Sequence, residues 1–189
     1  MPTLLEIARA LAGLWRLAHL DASGFDYFDR TLGGFWRSFR VAFLVAPIQA
    51  WLFVTQIQDL GLTGGWARIL VVAILTYIVG WFLFPAVAYE ICRRIDRNAE
   101  YPGYIAVYNW SAIGGSALDL LAALPAMLGL ISLHASLSLS WLAYFIYLAY
   151  LWYIARHTLK VEAPVAGGFV LLDFVLTMLL SQISLAMMQ

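Results

Sequence analysis

The stretch from Ile69 to Tyr89 decides the fold class. It reads ILVVAILTYIVGWFLFPAVAY, 21 residues without a charge, and an α-helix of that length covers about 30 Å, the hydrocarbon thickness of a bilayer. The rest of the chain has the same character, since 63% of its 189 residues are hydrophobic and only 12% are charged. A water-soluble domain of this size has too little interior to bury so much apolar surface. The composition therefore indicates an integral membrane protein and excludes a soluble enzyme or a nucleic-acid binder.

Working outward from this stretch, the same criterion predicts five spans, at about 41–58, 69–89, 104–132, 138–155 and 165–188. The apolar region 101–155 is too long for one span and is therefore divided into two. Only helices and closed barrels satisfy every backbone polar group in lipid, and the sequence lacks the alternation of barrel strands. We predict an all-α polytopic protein whose five-helix transmembrane bundle covers residues 41–189.

Positive charge predicts the sidedness of the bundle. With five spans, the N-terminal segment and the loops at 90–103 and 156–163 share one side, which then holds every Lys and Arg except Arg68. The positive-inside rule assigns that side to the cytoplasm. The expected location is thus an integral membrane protein of a bacterial inner membrane, with its N-terminus cytoplasmic and its C-terminus on the opposite side.

Residues 1–40 predict one or two amphipathic helices that lie at the cytoplasmic membrane interface. Polar residues recur every three or four positions within 3–20, on an otherwise apolar helix. A second segment has Ser23 and Asp26 at capping-box spacing, and the pair Gly33–Gly34 indicates a bend. The side chains expected at the headgroup level are Trp15, Arg16, Trp36, Arg37 and Arg40. This segment either anchors and covers the bundle or docks a partner.

Two acids, Asp119 and Asp173, fall within the predicted third and fifth spans. A carboxyl group at membrane depth is costly, so each should face the bundle interior. Small residues flank Asp119 at helical spacing and permit close packing of another helix; they are Ala112, Gly115, Ala122, Ala126 and Gly129. Polar residues mark one face of the fifth span (Asp173, Thr177, Ser181, Ser184) and of the first (Gln49, Gln56). We expect the first, third and fifth spans to turn these faces toward a common interior.

These polar residues admit two interpretations. Asp119 and Asp173, with Thr177, Gln49 and Gln56 nearby, would form the proton or cation site of a small transporter or channel. Alternatively, each acid bonds to a neighbouring helix and fixes the packing. The aromatic residues of the fourth span surround that helix, which favours lipid contact and interfacial belts over a cofactor cage.

The sequence contains no inverted repeat, no nucleophile–base pair or phosphate loop, and no Cys/His cluster with metal-ligand spacing. We therefore predict a non-catalytic scaffold or interaction protein without a metal or cofactor, and the transporter is the alternative. The expected partners are the lipid bilayer and either further copies of the chain or another membrane protein, but no nucleic acid.

The layout also resembles the Yip family of small membrane proteins, taken in its broad bacterial and eukaryotic sense. The resemblance covers residues 36–189 as architecture and, locally, Gly103-Tyr104, the following Ile105–Tyr108, and Pro125 later in the same span. The Asp-Leu-Tyr-Gly-Pro motif of the eukaryotic branch does not occur in this sequence. The resemblance implies five spans, short loops and a non-enzymatic role in membrane organisation or partner binding.

Overall fold

The computed structural model describes residues 2–56 and 62–189, except for the side chains of Gln56 and Leu133. This described part contains seven α-helices, one short 3-10 segment and no strand. The α-helices are α1 (Leu4–Ala18), α2 (Leu32–Ser38), α3 (Val41–Gln56), α4 (Trp66–Arg94), α5 (Tyr101–Met127), α6 (Leu133–Leu159) and α7 (Ala163–Met188). The 3-10 segment, Ala22–Tyr27, lies between α1 and α2.

Five stretches of the described chain are long and apolar enough to cross a membrane. The first is formed by α2 and α3 together (Leu32–Thr55), and α4, α5, α6 and α7 supply the others. Large apolar side chains such as Leu70, Ile74 and Phe82 of α4 are exposed on the outside of the bundle. Such a surface suits lipid, because a helix satisfies its own backbone groups there. The predicted fold class, an all-α polytopic protein with five spans, is confirmed.

The break between the third and fourth spans lies earlier than the sequence predicts. α5 ends at Met127 instead of 132, and α6 begins at Leu133 instead of 138. Gly129 has a left-handed φ of 71°, and its N–H donates to the carbonyl of Ala126 at 2.9 Å, which closes the helix end. Ser132 then caps α6. These local hydrogen bonds, and not a change in hydropathy, set the boundary.

The N-terminal segment forms α1 as predicted, but the second predicted helix begins later. The residue that caps the segment after α1 is Asp21 and not the predicted Ser23, because the Asp21 carboxylate accepts the N–H of Ser23. The capped segment is only the 3-10 segment. α2 begins after Thr31, whose hydroxyl accepts the N–H of Gly34. Because Gly33 and Gly34 lie inside the first turn of α2, the predicted bend at this pair is wrong.

The largest buried cluster lies at one end of the bundle, which we call the basic end. It is formed by α1, the 3-10 segment, α2, the C-terminal ends of α4 and α6, and the N-terminal ends of α5 and α7. Its buried side chains include Leu14, Leu17, Phe25, Phe35, Phe84, Cys92, Tyr104, Ile105, Ile154, Leu159 and Phe169. Every Lys and Arg except Arg68 belongs to these segments or to the loops that join them. The fold thus brings together the positive charge that the sequence places on one side.

At the opposite end, α7 is tied to the chain that enters α4. The N–H of Gly64 donates to the carbonyl of Met188 at 2.9 Å, and the Thr63 hydroxyl donates to the carbonyl of Gln189 at 2.9 Å. Met188 is buried there with Ile69. These bonds satisfy carbonyl groups that the end of a helix otherwise leaves without a partner.

The central helix is α5, which packs against α2, α3 and α6, whereas α7 packs against α4 and α6. The prediction that the first, third and fifth spans share one interior is therefore wrong for most of α7. Its Ser184 accepts a hydrogen bond from Thr76 of α4 at 2.9 Å. Because Gly115 has no side chain, the ring of Tyr147 on α6 lies close to α5 at this point. The helix that packs on this side of α5 is therefore α6 and not the predicted fifth span.

Candidate functional site

Asp173 is the more deeply buried of the two acids. It is 6% exposed, and its carboxyl oxygen accepts a hydrogen bond from the hydroxyl of Tyr108 on α5 at 2.7 Å. The ring of Tyr108 packs on Phe84 of α4, with ring centroids 4.7 Å apart. One contact therefore joins α4, α5 and α7, and it satisfies a carboxyl group that would be costly without a partner.

Asp119 belongs to a second polar contact, between α3 and α5. It is half-buried, and the side chain of Gln49 lies beside its carboxyl group. The amide nitrogen of Gln49 also donates to the hydroxyl of Ser116 at 3.1 Å. Gln49 thus faces α5 as predicted, while the side chain of Gln56 lies outside the described residues.

The two acids have different polar neighbours. Tyr108, the partner of Asp173, precedes Asp119 by 11 residues on α5, which corresponds to about 16 Å along the helix axis. Each acid has its own polar neighbour on a different helix. Thr177, which the sequence places on the face of Asp173, is exposed on the outside of α7.

The predicted stripe of small residues on α5 is only partly a packing surface. Gly115 and Ala122 are buried, and Ala112 and Ala126 are half-buried. Ala122 approaches α6 closely enough for its carbonyl to accept the Ser136 hydroxyl at 3.1 Å. Gly129 is exposed beyond the end of α5, where its left-handed backbone conformation ends the helix.

Gly115 lies against Tyr147 of α6, and this contact supports a matched pair of substitutions. A Cβ atom at Gly115 would lie 3.0 Å from the ring of Tyr147, whereas a Cβ at Gly114 meets nothing within 4 Å. We expect Gly115→Ala to destabilise the fold by about 1–3 kcal/mol through overpacking. Gly114→Ala should be neutral or slightly stabilising because alanine favours the helix. Thermal unfolding in detergent, followed by circular dichroism, checks this, and equal midpoints for the two variants would contradict it.

Three tyrosines of α6 have polar partners. Tyr147 shares a hydrogen bond with Ser111 of α5 at 3.2 Å. Tyr150 and Tyr153 donate to main-chain carbonyls of the N-terminal segment, at 3.3 and 2.9 Å. The hydroxyl groups of these tyrosines thus bond to the protein, whereas Phe145 is exposed, as lipid contact predicts. A buried tyrosine needs a partner for its hydroxyl, and here that need attaches α1 to the bundle.

The residues predicted for the membrane interface all lie at the basic end. Trp15 and Trp36 are 70% and 64% exposed. Arg16 pairs with Asp21, and Arg37 pairs with Glu6 and Asp29, while Arg40 is exposed. In residues 2–56 and 62–189, no group of three or more His, Cys, Asp or Glu side chains is placed to hold a metal ion.

These features define the class of the protein: an all-α membrane protein with five spans and an ordered N-terminal segment packed on one end. No family model matches the chain, and no curated protein or solved structure was found to match it. The resemblance to the Yip family stays a prediction.

Proposed function

We propose that the protein is a non-catalytic integral membrane scaffold or interaction protein. The observation that supports this role is the use of polar side chains within the spans. The pairs Tyr108–Asp173, Gln49–Ser116 and Thr76–Ser184 each join two different helices. Hydrogen bonds of this kind hold helices in fixed relative positions.

Two cavities of the described part of the chain lie away from these polar pairs. One carries charged groups and lies at the basic end, beside α1 and α2. A groove of about 430 Å³ between α6 and α7 is lined by apolar side chains and glycine, among them Leu148, Trp152 and Gly167. Neither Asp119 nor Asp173 lines either cavity.

Exposed small and polar residues of α7 support association with other membrane helices. Thr177 and Gln182 are exposed within this span, and Gly168 is exposed near its N-terminal end. Small and polar residues are the ones through which membrane helices associate, because they permit close approach and interhelical hydrogen bonds. We propose that the partner is a second copy of the chain or another membrane protein.

We also propose that the basic end faces the cytoplasm of a bacterial inner membrane, in accordance with the positive-inside rule. Leu4, Leu11 and Trp15 lie on one face of α1 and are all exposed. An exposed apolar helix face at this end suits insertion at the headgroup level. A scaffolding role is also what the resemblance to the Yip family implies.

The experiment that tests this proposal measures transport and assembly on the same preparations. The wild-type protein, Asp119→Asn and Asp173→Asn are reconstituted into vesicles that contain a pH-sensitive or cation-sensitive dye. We expect flux no greater than in empty vesicles for all three, and a mass above that of one chain when the wild-type protein is extracted in mild detergent. Wild-type flux that either Asn variant abolishes would contradict the proposal and favour a transporter. A homogeneous monomer without a copurifying partner would also contradict it.

A further inference from the structure

A cavity of about 350 Å³ opens at the basic end between α1 and α2. Its charged lining consists of Glu6 and Arg9 from α1, with Asp29 and Arg37 from the region of α2, and Trp110 of α5 also lines it. The volume is within the range of cavities that hold small ligands. Two carboxylates and two guanidinium groups make the charged lining neutral overall but locally divided into positive and negative groups.

The two carboxylates are held in place by their own neighbours. The N–H of Thr3 donates to Glu6 at 2.8 Å and lowers the pKa of that carboxyl group. The hydroxyl and N–H of Thr31 donate to Asp29 at 2.7 and 3.0 Å and lower the pKa of Asp29. Both groups therefore stay negatively charged at neutral pH, and Arg37 lies between them as a shared ion-pair partner.

Arg9 differs from Arg37 in that it makes no ion pair within the described part of the chain. It is exposed and lines the cavity. A guanidinium group recognises phosphate through parallel charge-assisted hydrogen bonds. The cavity thus offers a cation for an external anion, close to two carboxylates that can accept hydrogen bonds from an external ammonium group.

Neighbouring contacts connect the cavity to the apolar outside of the bundle. The amide of Asn109, the residue before Trp110, donates to the hydroxyl of Ser38 at 2.8 Å. The next residue, Phe39, stacks on Phe82 of α4 with ring centroids 5.0 Å apart. Phe82 is 51% exposed on the apolar outside of its span, which faces lipid. The cavity therefore lies where the charged N-terminal segment meets the level of lipid-facing side chains.

We propose that this cavity binds the phosphoethanolamine headgroup of a phospholipid, with its phosphate at Arg9 and Arg37 and its ammonium at Glu6 and Asp29. A zwitterionic headgroup matches this lining, which is neutral overall but has separate positive and negative groups. A choline headgroup has no N–H to donate to the carboxylates, and a glycerol headgroup brings no positive charge. A specific lipid site goes beyond the scaffold function, which does not require one.

The test is native mass spectrometry of the full chain in detergent, titrated separately with palmitoyl-oleoyl phosphatidylethanolamine, phosphatidylcholine and phosphatidylglycerol. We expect one phosphatidylethanolamine molecule to be retained in preference to the other lipids. Arg9→Gln should weaken its retention about tenfold, because charge-assisted hydrogen bonds to the phosphate are lost. Arg93→Gln is the matched control, since Arg93 is an exposed cation at the same end that pairs with Glu90 and does not line the cavity.

Equal retention of the three lipids, or an equal loss in Arg9→Gln and Arg93→Gln, would overturn the proposal. Water-soluble phosphoethanolamine, added as a competitor, should displace the retained lipid. If inorganic phosphate displaced it equally well, the cavity would be a phosphate site and the assignment of the ammonium group would be wrong. Unchanged thermal unfolding of Arg9→Gln verifies that the variant is folded, as its exposed position predicts.

Discussion

Gly34→Ala is expected to disrupt the basic end, whereas Gly33→Ala, one position earlier, is expected to be tolerated. A Cβ atom at Gly34 would overlap the main-chain carbonyl oxygen of Asp29, while the nearest atom to a Cβ at Gly33 is the Thr31 hydroxyl at 3.5 Å. Main-chain atoms cannot turn aside as a flexible side chain can. The cost should therefore reach or exceed the upper end of the usual overpacking penalty, about 3 kcal/mol.

The buried thiol of Cys92 provides the measurement. It is the only cysteine of the chain and lies fully buried in the core of the basic end. A thiol-reactive fluorophore, added during heating in detergent, should label Gly34→Ala at a temperature about 6 °C or more below the wild type. Gly33→Ala should be labelled at the wild-type temperature. A wild-type labelling temperature for Gly34→Ala would show that α2 can shift away from Asp29, against this prediction.

Asp173→Ala is expected to be much more damaging than Asp119→Ala. Removal of Asp173 leaves the buried hydroxyl of Tyr108 without its partner, at a cost of about 1–3 kcal/mol. Asp119 is only half-buried, and its neighbour Gln49 keeps its hydrogen bond to Ser116. The loss at Asp119 should therefore stay below about 1 kcal/mol, the usual size of a polar contact between membrane helices.

A double-mutant cycle with Tyr108→Phe isolates the hydrogen bond itself. The coupling free energy between Tyr108→Phe and Asp173→Ala should be about 1 kcal/mol. It is measured by SDS-induced unfolding in mixed micelles, followed by circular dichroism. The pair Tyr108→Phe and Asp119→Ala is the control and should show additive losses, because Asp119 makes its polar contact with α3 and not with Tyr108. Additive losses in the first cycle would mean that this hydrogen bond does not stabilise the bundle.

The sequence predicts the number of spans well because hydropathy summed over about 20 residues is a strong signal. It also places every Lys and Arg except Arg68 at one end. In a five-span bundle, the order of the loops along the chain determines at which end each charge lies. The predicted break between α5 and α6 lies five residues too late. Residues 128–138 carry no charge that would mark the end of a span. The helix end is determined by the local conformation of Gly129.

The contacts between spans could not be predicted because they depend on how each helix is rotated about its axis. Helical spacing identifies Asp173 and Ser184 as one polar face of α7, yet the first meets α5 and the second meets α4. Tyr108 carries little signal in the sequence beyond its place one turn after Tyr104 on a helix rich in aromatic residues. The inward-facing tyrosines of α6 could not be predicted for a related reason. A helix whose aromatic side chains all face lipid has the same composition as a helix whose tyrosines form hydrogen bonds to the protein interior.

The hydrogen bonds that join Gly64 to Met188 and Thr63 to Gln189 have a consequence for the order of events during biosynthesis. The second pair is 126 residues apart in the chain, and α4 packs mainly against α7. A ribosome completes α4, α5 and α6 before it makes α7. The face of α4 that carries Thr76 therefore stays in the insertion machinery or in lipid until α7 is made. The opposite end of the bundle closes only after α7 has entered the membrane.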